Sequence, residues 1–151
     1  MNDTFSSHDA SGGGYRWENL PVESYSGSLD IFKGVTKQVL FSGEHGLDSA
    51  LRYFEVEPGG YSSFERHQHV HGVLILRGRG RCILGEEVRT ITAHDRIYIP
   101  PMTYHQFHAD EDEYLGFLCM VNNDRDRPQR PDDQERRKLK EHPVIGRYLR
   151  P

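Results

Sequence analysis

The stretch from Gly59 to Gly78, GGYSSFERHQHVHGVLILRG, sets Glu65, His67, His69 and His71 at every second position. Alternate residues of a β-strand point to the same face, so these four side chains start on one side of the chain. Imidazole and carboxylate are the usual ligands of divalent transition metals. His105 follows the Pro100-Pro101 pair downstream and adds one more imidazole. The pattern points to a metal site on a β-scaffold. A straight strand rises about 3.3 Å per residue, which would put Glu65 and His71 about 20 Å apart. That is too far to share one ion with ligand bonds of about 2.0–2.2 Å. A turn over residues 68–70 is therefore expected. It brings Glu65 and His67, at the end of one strand, opposite His71 at the start of the next. His105 then arrives from a neighbouring strand.

Outward from this stretch, residues 31–121 read as short strands with turn punctuation. The strands are FKGVTKQVLF, SALRYFEVEP, YSSFERH, HGVLILRG, RCILG, VRTITA, DRIYIP, YHQFHA and YLGFLCMV. Pro58-Gly59-Gly60, Gly78-Arg79-Gly80, Gly85-Glu86-Glu87 and Pro100-Pro101 supply the breaks. Short strands at this spacing, with no helical periodicity between them, imply an all-β sandwich or barrel.

The spacing resembles that of the cupin superfamily. Its first motif runs G-x5-H-x-H-x3,4-E-x6-G, and Gly59, Glu65, His67, His71 and Gly78 keep that register throughout. Two ligand types are exchanged: Glu65 stands where the first His is expected, and His71 where the Glu is expected. The second motif runs G-x5-P-x-G-x2-H-x3-N. Here His94, Pro100, Met102, His105 and Ala109 hold its spacing, while only Pro100 and His105 keep its residue types. The run DRIYIPPMTYHQF and the short gap from Gly78 to His94 also look like the family. The resemblance covers roughly residues 38–121. It implies a double-stranded β-helix, or jelly roll (an RmlC-like cupin barrel), with one metal inside the barrel mouth. The losses of glycine at His94 and Met102 bear on local backbone shape rather than on metal binding.

The register implies a ligand set of Glu65, His67, His71 and His105 for one divalent transition metal: iron, manganese, nickel, cobalt or zinc. His69, at the apex of the turn, competes with Glu65, and a set of His67, His69, His71 and His105 is the alternative. A second role for Glu65 is to orient a ligand histidine or to pair with Arg66 or Arg77. Tyr61, Ser63 and Phe107 share strand parity with the ligands and are the candidates to contact a substrate; their plainer role is barrel filling. His94 and His108 read as surface residues, and His45 and His142 lie outside the site.

Four protein ligands on an octahedral ion leave two positions for substrate, water or dioxygen. The expected function is a metal-dependent enzyme on a polar small molecule, as a dioxygenase or an isomerase/lyase, with Glu65 able to act as base. The alternatives are a non-catalytic module that binds a small molecule or metal, with the charged C-terminal tail contacting a partner, and a closed metal site that merely stabilises the barrel. Cupins of this size are often dimeric, and a homodimer is expected, with residues 15–41 and the C-terminal VIGRYL at its interface.

The rest of the chain sets bounds. It has 151 residues, the length of one ordinary domain. Residues 1–14 are polar, end in three glycines and are expected to be a disordered tail. Residues 15–121 form the barrel with an N-terminal arm, and 122–151 a charged extension. In that extension Asp132 or Asp133 can cap a short helix running to about Glu141 and ended by Pro143. From Asp124 to Glu141 seven Arg and Lys face six Asp and Glu, the mixture of a solvated helix rather than a nucleic-acid patch. The last apolar residues, Val144, Ile145, Tyr148 and Leu149, can dock onto the domain or a second subunit. The formal charge of −4 argues against nucleic-acid and membrane-surface partners. Cys82 and Cys119 lie in apolar runs and read as buried reduced thiols. No membrane-length apolar run and no secretory signal is present, so a cytoplasmic location is expected.

Overall fold

A computed structural model describes residues 4–25 and 30–151. In chain order its strands are β1 (His8–Asp9), β2 (Arg16–Trp17), β3 (Glu23–Tyr25), β4 (Lys33–Phe41), β5 (Ser49–Tyr61), β6 (His71–Leu84), β7 (Glu87–Thr92), β8 (Arg96–Ile99), β9 (His105–Ala109) and β10 (Leu115–Asn122). One helix, α1 (Asp133–Glu141), follows. The fold is all-β, a jelly-roll barrel with a short C-terminal helix.

Two long strands make the barrel, and the sequence divides each of them. Pro58-Gly59-Gly60 and Gly78-Arg79-Gly80 are expected to end strands, but β5 and β6 run through both. The glycines bend these strands instead of ending them. Gly78 lies at φ 78°, and a Cβ there would overlap the carbonyl oxygen of Tyr114. Before the bend, β6 pairs with β8 (His71↔Ile99) and β10 (Val73↔Cys119). After it, β6 pairs with β7 (Gly80↔Ile91) and β9 (Cys82↔Phe107). β5 likewise pairs with β4 and β10 along its first part and meets β9 at Tyr61↔His108. All pairings are antiparallel.

Alternation along these strands places Val35, Ala50, Val56, Val73, Ile75, Cys82, Phe107, Leu115, Phe117, Cys119 and Val121 in one buried core. Both cysteines are free and buried, as the apolar runs around them imply.

The N-terminal tail departs from expectation. Over its described residues, β1 pairs with β2. The His8 ring packs on Tyr15 and Trp17, and Trp17 packs edge-on against Tyr53. The buried Glu55 carboxylate accepts from Tyr15 N–H and from the Tyr53 hydroxyl, both at 2.8 Å. The Gln38 amide donates to the carbonyls of Trp17 and Leu20 and accepts from Trp17 N–H. The two buried polar groups anchor the arm at Tyr15, Trp17 and Leu20, and of the preceding residues His8 and Asp9 pair with that arm while most side chains of residues 4–14 stay exposed.

The C-terminal extension packs on its own chain. Asp132 caps α1 in a reciprocal capping box with Glu135. Ile145 and Leu149 join Phe64 and Ile83 in a second buried cluster. Gln129 exchanges two backbone hydrogen bonds with Arg66. Glu135 binds the Arg66 guanidinium and the Tyr104 hydroxyl, each at 3.2 Å. The extension thus docks on its own domain and braces the stretch that carries Glu65 and His67.

Candidate metal centre

The first motif delivers its donors through three local devices. Glu65 and His105 face each other as an isolated antiparallel bridge, with backbone hydrogen bonds of 3.2 and 3.0 Å. Directly opposite residues point the same way, so their side chains enter the barrel together. The chain then turns over residues 67–70. Met102 N–H donates to His67 O at 2.7 Å, tying that turn to the segment before His105. His71 opens β6 on the far side of the turn. The expected hairpin geometry is therefore present, and it gathers all five candidates. Donor atoms of His67, His69 and His71 fall within 4.8 Å of one another, as do those of Glu65, His67 and His105.

Hydrogen bonds fix which imidazole nitrogens face inward. A carbonyl can only accept, so His67 Nδ1 donates to His69 O at 2.7 Å and His105 Nδ1 donates to Thr103 O at 3.0 Å. Each Nε2 is left with a lone pair. His67 is 1% exposed, and its Nε2 is a buried acceptor without any partner. Buried polar atoms are normally satisfied, and a bound cation would satisfy this one. His69 Nδ1 donates to Asp126 Oδ1 at 2.8 Å, which turns its Nε2 toward His71 Nε2 at 3.2 Å. Two ligand atoms about 2.1 Å from one ion at an angle near 100° would stand roughly that far apart. The donor set and its orientation fit a divalent transition metal.

Charge in the cluster follows from burial. Burial lowers the pKa of His67, His71 and His105, the last to about 4, so these imidazoles are neutral, the form that binds metal. Burial raises the pKa of Glu65, and the Ser63 hydroxyl, donating to Oε2 at 2.6 Å, works against that rise. Arg66 and Arg77 do not pair with Glu65; they bind Glu135 and Glu55.

The other expected positions take structural places. Ser63 holds Glu65, the Tyr61 hydroxyl donates to Asp30 O at 2.9 Å, and Phe107 stacks on Phe117 in the core. His94 is exposed, in line with the sequence. His108, expected at the surface, is buried, and its Nε2 meets Gln106 Oε1 at 2.9 Å. It points opposite to Phe107 on β9, where Arg81, Arg150 and the C-terminal segment cover it.

Two site residues carry no sequence signal. Asp126 accepts from the backbone N–H groups of Gln68 (2.8 Å) and His69 (2.9 Å) as well as from the His69 ring. Those hydrogen bonds, led by Gln68 N–H, hold its carboxyl well below the usual range. In the sequence it is one acid in a mixed-charge run. Arg52 faces the barrel interior beside Cys119, donating to Sγ at 3.2 Å, and its charge acts on both Glu65 and His71. Burial raises the Cys119 thiol pKa, and Arg52 opposes that rise.

A barrel of bent strands with converging His and Glu donors is the arrangement of a cupin, and the chain belongs to the cupin family. The cupin domain model matches residues 52–121. The chain is 48% identical over 137 residues to the 1-methylthio-D-xylulose 5-phosphate methylsulfurylase of Rhodospirillum rubrum, covering 89% of this chain and 86% of that protein. A crystal structure of a cupin-2 domain protein from Rhodospirillum rubrum superposes with a TM-score of 0.86 at 47% identity, over 90% of this chain and 91% of that one. A cupin 2 conserved barrel protein from Rhodopseudomonas palustris gives a TM-score of 0.89 at 41% identity, over 98% and 100%.

Proposed function

We propose that this protein is a metal-dependent enzyme that acts on a methylthio-substituted sugar phosphate and breaks the bond between its sugar carbon and the methylthio sulfur, the methylthio group passing to a thiol co-substrate as a mixed disulfide and a proton taking its place on the sugar carbon. The observation that carries this reading is the 48% identity, across most of both chains, to an enzyme named for a methylthio-pentulose phosphate. The donor cluster is the chemistry such a fold would use. The reading chooses carbon–sulfur bond cleavage over the broader expectation of a dioxygenase or an isomerase/lyase, on the strength of that relative.

Glu65, His67, His71 and His105 would hold the metal. This set keeps the motif register and sets one negative charge beside three neutral imidazoles. When bound, the ion would supply Lewis acidity to a ketose oxygen. Ser63 positions Glu65, and Glu65 is the group able to hold or move a proton at its carboxylate oxygens. Asp126 orients His69 at the mouth. The 3.2 Å approach of His69 Nε2 to His71 Nε2 favours a second ligand set with His69 in place of Glu65. Metal content decides between them: Glu65→Ala loses the ion and His69→Ala keeps it in the first set, and the reverse holds in the second.

The activity test is direct. Metal-loaded protein is incubated with 1-methylthio-D-xylulose 5-phosphate, with and without a small thiol to receive the methylthio group. Products are followed by mass spectrometry. Metal-dependent loss of the methylthio group supports the proposal. Tight binding of the substrate with no turnover under either condition would return the chain to the non-catalytic binding reading.

A further inference from the structure

We infer that Arg52 and Arg125 form the phosphate subsite of this enzyme, at the edge of a cavity that opens beside the barrel mouth. The inference rests on the sugar-phosphate reading above and deepens it by naming the residues that would recognise the anion. The cavity is about 710 Å3, and its lining includes Trp17, Lys37, Phe41, Ala50, Arg52 and Arg125. The N-terminal segment, two strands and the extension build it: residues 4–6, 17 and 19–21 join the lining, β4 gives Lys37 and Phe41, β5 gives Ala50 and Arg52, and Arg125 follows β10.

The cationic pair stands without a counter-ion. Among the described residues, no carboxylate lies within 4.0 Å of a nitrogen of Arg52 or Arg125, whereas Lys37 is matched by Glu23 at 3.0 Å. The carboxylates that line the cavity are Glu23 and Glu44. Arg52 Nε is buried and has no hydrogen-bond acceptor. Its Nη2 reaches only a thiol sulfur. Arg125 Nη1 rests on the carbonyls of Asn122 (2.9 Å) and Asn123 (3.5 Å), which fix the guanidinium without neutralising it. Arg52 is half-buried with a donor left open, and Arg125, exposed on the lining of the same cavity, adds a second positive charge. A phosphate dianion balances that charge and fills the open donor positions, since guanidinium matches phosphate oxygens in planar pairs.

Position supports the assignment. Arg52 sits opposite Cys119 in the β5–β10 register. Cys119 in turn pairs with Val73 of β6, two residues from His71, so the register sets Arg52 near the start of β6 while it also lines the cavity. A ligand anchored there by its phosphate would direct its other end toward the metal donors.

Trp17 lines the same cavity and is the one tryptophan of the chain, so its fluorescence reports on occupancy. Inorganic phosphate is titrated into metal-loaded wild type, Arg125→Gln and Arg125→Lys, with metal content measured in each. The expected result is saturable phosphate binding, weakened roughly tenfold or more in Arg125→Gln and partly restored in Arg125→Lys, at unchanged metal content. With the methylthio sugar phosphate, Arg125→Gln should raise KM far more than it lowers kcat. Phosphate binding that is absent in wild type, or equal in wild type and Arg125→Gln, would overturn the inference, even if the sugar phosphate is turned over. Phosphate binding that depends on Arg125, with no turnover of the sugar phosphate, would leave the subsite standing and remove the proposed reaction.

Discussion

Single residues decide how this protein responds to acid. Burial pushes His105 and His108 down to about 4, against about 6.5 in an unfolded chain. Between those values the unfolded state binds more protons than the folded one. Stability is therefore full above about pH 6.5 and falls as pH drops toward 4, by roughly 1.4 kcal/mol per pH unit for each such group. Thermal unfolding of metal-free protein should show the midpoint falling between pH 7 and 5, with a shallower fall in His108→Gln; parallel profiles for the two proteins would contradict this. Backbone strain is also local. His94 and Met102 occupy the second-motif positions where a cupin has glycine, and both keep the left-handed backbone, at φ 78° and φ 53°. The turn geometry survives although the residue suited to it is gone. His94 is exposed, so His94→Gly should stabilise the protein by about 0.5–1 kcal/mol in urea melts. A loss of stability would mean that the His94 side chain contributes more than the strain costs.

At the scale of elements, the turn over residues 67–70 is held from outside by the C-terminal extension. Asp126 ties down both Gln68 and His69, while Gln129 and Glu135 hold Arg66. Groups that orient a metal site from outside commonly sustain metal affinity by about 10- to 100-fold, and Asp126 does so through the backbone of the turn that joins His67 to His71. Asp126→Asn should accordingly weaken metal binding by about tenfold in a competition assay against a chelator, with the barrel still folded by circular dichroism. Unchanged affinity would show that the turn holds its own shape. This dependence is not legible in the sequence. The spacing of Glu65, His67, His71 and His105 gives the donors because strand parity and motif register are short-range properties. Asp126 lies 57 residues from His69, and nothing local marks it among the other acids of its run. The same limit explains β5 and β6. Gly-rich triplets signal that the backbone departs from straight, but whether a strand bends or stops depends on partners far along the chain.

For the whole molecule, the barrel and its donor end are legible from residues 38–121, as are the capped C-terminal helix and the apolar run after it, while the β1–β2 pairing near the N-terminus is not. Composition marks residues 1–14 as loose, a capped solvated helix before Pro143, and an apolar docking run at Val144, Ile145, Tyr148 and Leu149. Ile145 and Leu149 do dock, buried beside Phe64 and Ile83, while at the other end His8 packs on Tyr15 and Trp17 in a pairing that composition does not mark. The burial of His108 is not legible either, since the segment that covers it comes from the far C-terminus. Among the described residues no helix is long and apolar enough to cross a membrane. The central claim is that one divalent metal sits among Glu65, His67, His71 and His105. The most direct test is the metal content of untagged protein by plasma mass spectrometry, with His67→Ala and His105→Ala alongside. About one equivalent of a transition metal in wild type, lost in both variants while the barrel stays folded, is the expected result. Wild type without metal, or metal retained in both variants, would contradict the account.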